Sequence, residues 1–431
     1  DNAEATIDVT IGNTETTYVL TSITTTAPAI GDSDTITTGE GDDIVLGGMA
    51  GDTIDASTET ADDDDIVLGD NGSVTFEADG SITQATSLTA DAGGADQITT
   101  ANGDDIIIGG TAGDTIDAGT DADNNTTRDI VLGDSGTANF DSEGQVTEVF
   151  SIEPAIGGND TITTDSGADI ILGGQGSDTI TAQQGSDIVL GDSGHAVFNA
   201  NNVLTSITTT APAIGDSDTI TTGEGDDIVL GGAASDYINV TYEEDMDGQR
   251  IYTNVADPGN DILVGDNATA SFINQDNQDT LNTIAYGDGA ADWIYTNNGA
   301  EVILGGDGPD TITTGTDTLR DVILGDNGNT VFTTNNNGRI DTTRLTNVTS
   351  QDEDDNNNET DTINTGAGDD LVFGGNAGDT INTAAGDDVV AGDNAEATID
   401  VTIGNTETTY VLTSITTTAP AIGDSDTITT G

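Results

Sequence analysis

Apolar residues in this chain recur on a short beat rather than at helical spacing. From Asp34 the sequence reads DTITTGEGD, then DIVLGGMAG, then Asp52. An Asp opens each nine-residue step, an apolar residue follows two places later (Ile36, Val45, Ile54), and a Gly-rich stretch closes it. The beat returns at Asp96, Asp105 and Asp114, at Asp160, Asp169, Asp178 and Asp187, and at Asp361, Asp370, Asp379 and Asp388. A short apolar strand between like turns at a fixed period predicts an all-β chain, a parallel β-roll or β-solenoid with nine-residue rungs. Ile36, Val45, Ile54 and Val67 are expected to point inward. DTIT rungs alternate with DIVLGG rungs, so one sheet is expected to be Thr-rich and the other more apolar. The apolar sheet, flanked by Gly, is a candidate surface for lateral association.

A second pattern interrupts the rungs. The stretches ATIDVTIGNTETTYVLTSI (5 to 23) and VTFEADGSI (74 to 82) alternate apolar and polar positions around Gly12-Asn13 and Asp79-Gly80, which predicts β-hairpins. Counting on by one rung from the last Asp of a block lands on Val74-Thr75-Phe76, Ala138-Asn139-Phe140 or Ala196-Val197-Phe198. The hairpin's first strand is therefore expected to continue the roll as a fifth, carboxylate-free rung.

A Gly-Asp marker divides the chain into repeat blocks at 1–69, 70–133, 134–191, 192–265, 266–325 and 326–392, with 393–431 starting another. Extra residues enter between the third and fourth rungs, and a solenoid tolerates them only at a solvent-facing corner. The longest insertion, 240 to 260, holds Tyr242, Tyr252 and Arg250; it reads as a surface insertion, with a contact surface as the alternative. Residues 1–39 recur without change as 393–431, and 19–48 as 203–232. Identity that extends to Thr and Ser exceeds what a fold requires, so recent duplication within a longer array is expected, of which this chain would be a window.

The turns carry the candidate chemistry. Glycines permit tight turns that bring carbonyl oxygens inward, and each Asp adds a carboxylate. Stacking turns at the strand spacing of about 4.8 Å gathers these oxygens around common points, as a hard cation with six to eight oxygen ligands requires. The stretches TTGEGDDIVLGGMAGDTI (37 to 54), TANGDDIIIGGTAGDTI (100 to 116), GGNDTITTDSGADIILGGQGSDTITAQQGSDIVLGD (157 to 192) and TGAGDDLVFGGNAGDTINTAAGDDVV (365 to 390) resemble the RTX, or hemolysin-type calcium-binding repeat, family of secreted bacterial proteins. The resemblance implies multiple structural Ca2+ ions and an extracellular or cell-surface location. The expected metal ligands are Asp34, Asp43, Asp52, Asp96, Asp105, Asp114, Asp160, Asp169, Asp178, Asp187, Asp218, Asp227, Asp236, Asp292, Asp310, Asp370, Asp379 and Asp388. The pattern fails before Asp65, where STETADDD has no glycine, at Glu301, which stands where an Asp is due, and before Asp361, which follows NNNET. These three are left out of the expected set.

Charge then narrows the partners. With 80 acidic residues against 5 basic ones the net charge is −75. Facing carboxylates about 5 Å apart repel by roughly 3 kcal/mol at an effective dielectric of 20, and several such pairs would exceed a typical stability of about 5–15 kcal/mol. The chain without calcium is therefore expected to be unfolded. Nucleic acid would be repelled, anionic membrane surfaces are disfavoured, and no apolar run approaches the roughly 20 residues of a membrane span. No Cys is present, which excludes disulfides and thiolate metal sites. His195 lies in GDSGH, superficially a serine-protease string around Ser193, but Gly-Asp-Ser-Gly also stands at 133–136, so the string is a repeat marker. With one His and one Trp, Trp293, the chain offers no zinc-protease motif and few aromatic platforms for sugar hydrolysis. No enzyme is expected. The expected function is a calcium-stabilised stalk of an adhesin, or a surface or matrix filament that self-associates end to end or laterally. The alternatives are a module binding ice or polysaccharide through its Thr-rich face, and the calcium-binding tail of a secreted hydrolase.

Overall fold

The computed structural model describes residues 3–11, 16–57, 63–88, 93–119, 127–244, 249–272, 278–284, 287, 289–334, 340–351, 360–403, 408–418 and 425–431. Among these, the only helical element is one 3₁₀ turn at Thr342–Arg344; everything else regular is β. The chain forms two compact units, residues 1–182 with 192–204, and residues 183–191 with 205–431.

In the first unit the Thr-rich rungs Thr35–Thr37, Thr53–Asp55, Gln97–Thr99, Thr115–Asp117, Thr161–Thr163 and Thr179–Thr181 form one parallel sheet in that order. The apolar rungs Ile44–Gly48, Ile66–Asp70, Ile106–Gly110, Ile130–Asp134 and Ile170–Gly174 form a second. Register is strict: Ile54 pairs with Ile36 and Ile98, and Val67 with Val45 and Ile107. In the Thr-rich sheet of this unit the central Ile is the least exposed residue of each rung and the residue before it is exposed, as in Thr115–Asp117. In the apolar sheet all five residues of Ile106–Gly110 are buried. That difference has a cause. The apolar sheet is covered on both sides, which is why its strands read as continuous apolar runs.

The second cover is the hairpin layer. Ala3–Ile11, Thr16–Thr25, Gly72–Phe76, Ile82–Ser87, Gly136–Phe140, Val146–Ser151 and Gly194–Phe198 make one antiparallel sheet in this unit. Thr75 pairs with both Ser22 and Gln84, so each hairpin is bonded to the hairpin of the next block as well as to itself. Two expectations are corrected here. The hairpin's first strand is not a fifth rung of the roll: a hairpin returns the chain, so its strands run antiparallel and form a third sheet of their own. The apolar sheet, in turn, is not a bare surface for lateral association, because the hairpins lie on it. The second glycine of the marker allows this approach; a Cβ on Gly72 would run into Leu68 Cδ2 and one on Gly136 into Leu132 Cδ2.

The second unit repeats the plan. Its Thr-rich sheet runs Thr219–Thr221, Tyr237–Ile238, Trp293–Tyr295, Thr311–Thr313, Thr362–Thr365, Thr380–Thr383 and Thr427–Thr430. Its apolar sheet includes Ile228–Gly232, Ile262–Asp266, Val302–Leu304, Val322–Leu324, Leu371–Gly375 and Val389–Asp393. Its hairpin layer includes Ala268–Ser271, Gln278–Thr283, Gly328–Thr333, Leu345–Ser350, Ala395–Ile403 and Thr408–Thr417. Val45, Ile54 and Val67 are buried as expected, and Ile36, on the first Thr-rich rung, is half-buried. The hairpin turn at Asp79-Gly80 is present, with Gly80 at φ 98°; Gly12-Asn13 lies outside the described residues, as do most of STETADDD and NNNET.

Candidate metal centre

Each rung begins with an Asp because the strand start leaves a backbone N–H that the next rung's carboxylate can take. At the corner entering the Thr-rich sheet of the first unit, the N–H of Asp34 donates to Asp52 Oδ1 at 2.7 Å, Asp52 to Asp96 at 2.6 Å, Asp96 to Asp114 at 2.8 Å, Asp114 to Asp160 at 2.7 Å and Asp160 to Asp178 at 2.8 Å. At the corner entering the apolar sheet, Asp43 donates to Asp65 at 2.8 Å, Asp65 to Asp105 at 2.8 Å, Asp105 to Asp129 at 2.9 Å and Asp129 to Asp169 at 2.9 Å. The second unit has the same two ladders. One runs through Asp218, Asp236, Asp292, Asp310, Asp361, Asp379 and Asp426. The other includes Asp187, Asp227 and Asp261, and then Glu301, Asp321, Asp370 and Asp388.

These ladders use only one oxygen of each carboxylate. The Oδ2 atoms of Asp52, Asp96, Asp114, Asp160, Asp292, Asp310 and Asp379 are buried and accept from no donor. They are aimed at glycine. A Cβ on Gly69 would meet Asp96 Oδ2 and would lie 2.5 Å from the carbonyl oxygen of Gly109; one on Gly109 would lie 2.5 Å from Asp114 Oδ2 and meet the Gly133 carbonyl. Gly265 stands in the same way against Asp292 Oδ2 and the Gly305 carbonyl. Each such corner is thus a pocket lined by a carboxylate oxygen and glycine carbonyls of successive turns, open only because the side chain is missing.

A buried carboxylate with one of its two oxygens left without a donor is costly as an anion. Burial pushes Asp96 up to about 8, Asp160 to about 9 and Asp114 to about 10, and neighbouring carboxylates, both of the ladder and at the markers Asp70 and Asp134, add to the rise. Glu301 is pushed up to about 11, first by burial and then by its contact with Asp321. A divalent cation removes that cost. The donor set consists of hard oxygens from carboxylates and carbonyls, and it fits Ca2+, which takes six to eight of them, better than any metal preferring nitrogen or sulfur. The carboxylates and glycine carbonyls would hold the ion, whose charge would neutralise the ladder.

All eighteen expected ligands fall on these two kinds of corner, although Asp34, Asp43 and Asp388 are only half-buried. The structure adds members that the glycine pattern left out. Asp65, Asp129, Asp261, Glu301, Asp321 and Asp361 are all buried in the ladders. Their signal was the strand that follows, Asp or Glu before a β-branched apolar run ending in Gly for all but Asp361, rather than the turn that precedes. Asp165 and Asp257, off the ladders, complete two buried carboxylate clusters, Asp129 with Asp165 and Asp169, and Asp227 with Asp257 and Asp261, whose oxygens lie within 4.8 Å of one another. The marker Asp has a separate task. Asp70 accepts from the N–H of Gly94 at 3.0 Å and from Thr111 N and Oγ1 at 2.6 and 2.8 Å, and so fastens the turns of the following rungs.

The remaining candidates are structural in setting. His195 Nε2 lies 3.1 Å from Glu148 Oε2 across the hairpin layer, with its ring edge-on to Phe150. Trp293 stacks on Tyr237 and Tyr252 at centroid distances of 5.1 and 5.3 Å.

Stacked rungs, oxygen-lined corners and repeated ladders define a calcium-binding parallel β-roll. A family model described as RTX calcium-binding nonapeptide repeat (4 copies) matches residues 31–57, 92–124, 156–189, 163–196, 214–240, 279–312, 295–332 and 355–390, together about half of the chain. The chain belongs to this family of calcium-binding repeats. Among curated proteins none matches it.

Proposed function

We propose that this chain is a non-enzymatic, extracellular structural segment in which calcium cements the fold, serving as the stalk of an adhesin or as the body of a surface or matrix filament. One observation carries the reading: pairing runs on in register across block boundaries, hairpin to hairpin as Thr75 with Ser22, and the third rung of one block to the first rung of the next as Ile54 with Ile98. Blocks with such edges can be added without changing the fold, the property of a solenoid. The unchanged recurrence of whole stretches supports it. Self-association end to end, with polysaccharide or a cell surface as a further partner, belongs to the same proposal.

Binding through the Thr-rich face is the second reading. Thr161 and Thr163 align with Thr179 and Thr181, a regular outward array. Asp55, Asp117, Tyr237 and Trp293 break it on other rungs, which weakens a flat ice-binding surface. Electron microscopy of the native protein with and without calcium tests the lead reading. Elongated particles or filaments that are lost on chelation are expected; compact globular particles in calcium, or catalytic turnover by this segment, would reject it.

A further inference from the structure

The insertion in the fourth block begins and ends at one carboxylate cluster. Asn239, at φ 55° and fully buried, opens it. Its carbonyl accepts from the N–H of Val255 at 2.8 Å, and its side-chain amide donates to Asp257 Oδ2. Between them, Val240–Glu244 pairs antiparallel with Arg250–Asn254. This hairpin lays Tyr242 and Tyr252 beside Tyr237 and Trp293, with the Arg250 guanidinium 4.3 Å from the Tyr242 ring.

Asp257 itself stands where the repeat places a glycine. The turn before Asp227 is Gly-Glu-Gly-Asp, whereas the turn before Asp261 is Asp257-Pro-Gly-Asn. A third carboxylate therefore joins the two that the ladder supplies, and all three are buried within 4.8 Å of one another. Asp257 Oδ1 and Asp261 Oδ2 accept from no donor, and both residues are wholly buried. These are the open oxygens of a cation site. Asp257 and Asp261 also lie outside the segments matched by the repeat family.

We propose that Asp257 adds a third carboxylate, which the repeat does not provide, to the calcium corner of Asp227 and Asp261, and that through Asp257 this corner latches the insertion hairpin and its aromatic cluster onto the Thr-rich sheet. A higher count of charged ligands tightens calcium binding, so this corner retains its ion as calcium falls. The cluster Asp129, Asp165 and Asp169 carries the same added carboxylate, in the turn Asp165-Ser-Gly-Ala, but without the hairpin, and serves as an internal control.

The chain has only five basic residues, so trypsin reports each of them separately. Arg250 lies in the insertion hairpin, and Arg128 precedes Asp129 of the control cluster. Calcium chloride titrated into the calcium-stripped full chain is expected to protect both. Asp257→Asn should raise the calcium needed to protect Arg250 by roughly ten-fold while leaving Arg128 unmoved; Asp165→Asn should do the reverse. The latch is overturned if Arg250 protection is unchanged in D257N, if D165N moves it equally, or if D257N exposes Arg128 as well, which would mark a general loss of fold. A wild-type chain whose arginines gain no protection from calcium would instead contradict calcium stabilisation as a whole.

Discussion

Asp160 shows what one residue of the ladder does. Its Oδ1 takes the N–H of Asp114, while its Oδ2 faces the gap left by Gly133, into which the Gly173 carbonyl also points. Gly133→Ala would fill that gap with a methyl group. It is expected to lower calcium stoichiometry by calorimetry and to cost about 1–3 kcal/mol of stability, as overpacking does. The same burial fixes the pH response. Asp96, Asp160 and Asp114 rise from the ordinary 3.8 to about 8, 9 and 10, so without calcium the folded chain holds more protons than the unfolded one. Their contribution is fully present below the ordinary value and is lost as pH rises through the raised ones. Calcium-stripped protein should therefore gain β-structure on acidification toward about pH 4, measured by circular dichroism. With calcium bound the acid side should reverse, because protons compete for the ligand oxygens. A stripped protein whose β content rises with pH would contradict these assignments.

At the scale of elements, the nine-residue rung was legible because three signals coincide on it: the Asp, the apolar residue two places on, and the glycines. Where the glycines drop out, as before Asp65 and Asp129, the strand still forms, since Ile66 to Asp70 and Ile130 to Asp134 bury every residue. The partner of the hairpin strand was not legible. Alternation in Gly72–Phe76 shows which face is buried but not whether the neighbouring strand runs parallel. The marker Asp was visible as punctuation, yet its work was not, because it acts on turns far along the chain: Asp134 accepts from Gly158 N at 3.1 Å and Gln175 N at 2.5 Å. Asp134→Ala should cost about 1–3 kcal/mol by leaving part-buried backbone donors unpaired, read as a lowered melting temperature in saturating calcium. Asp79→Ala, in an exposed hairpin turn, should leave it unchanged.

For the whole molecule the decisive quantity is the net charge of −75, of which the buried ladders hold the part that water cannot screen. Among the described residues the rung interior is mostly Ile, Val and Leu stacked rung on rung, with few buried aromatic side chains, such as Phe332 and Phe373, to add to it. Calcium is then a component of the fold rather than a ligand of a finished one. Far-UV circular dichroism of the calcium-stripped protein at neutral pH, followed as calcium is restored, tests this most directly. An unfolded spectrum that converts cooperatively to β-structure is predicted. A β spectrum that is already complete without calcium, and unchanged by its addition, would contradict the account.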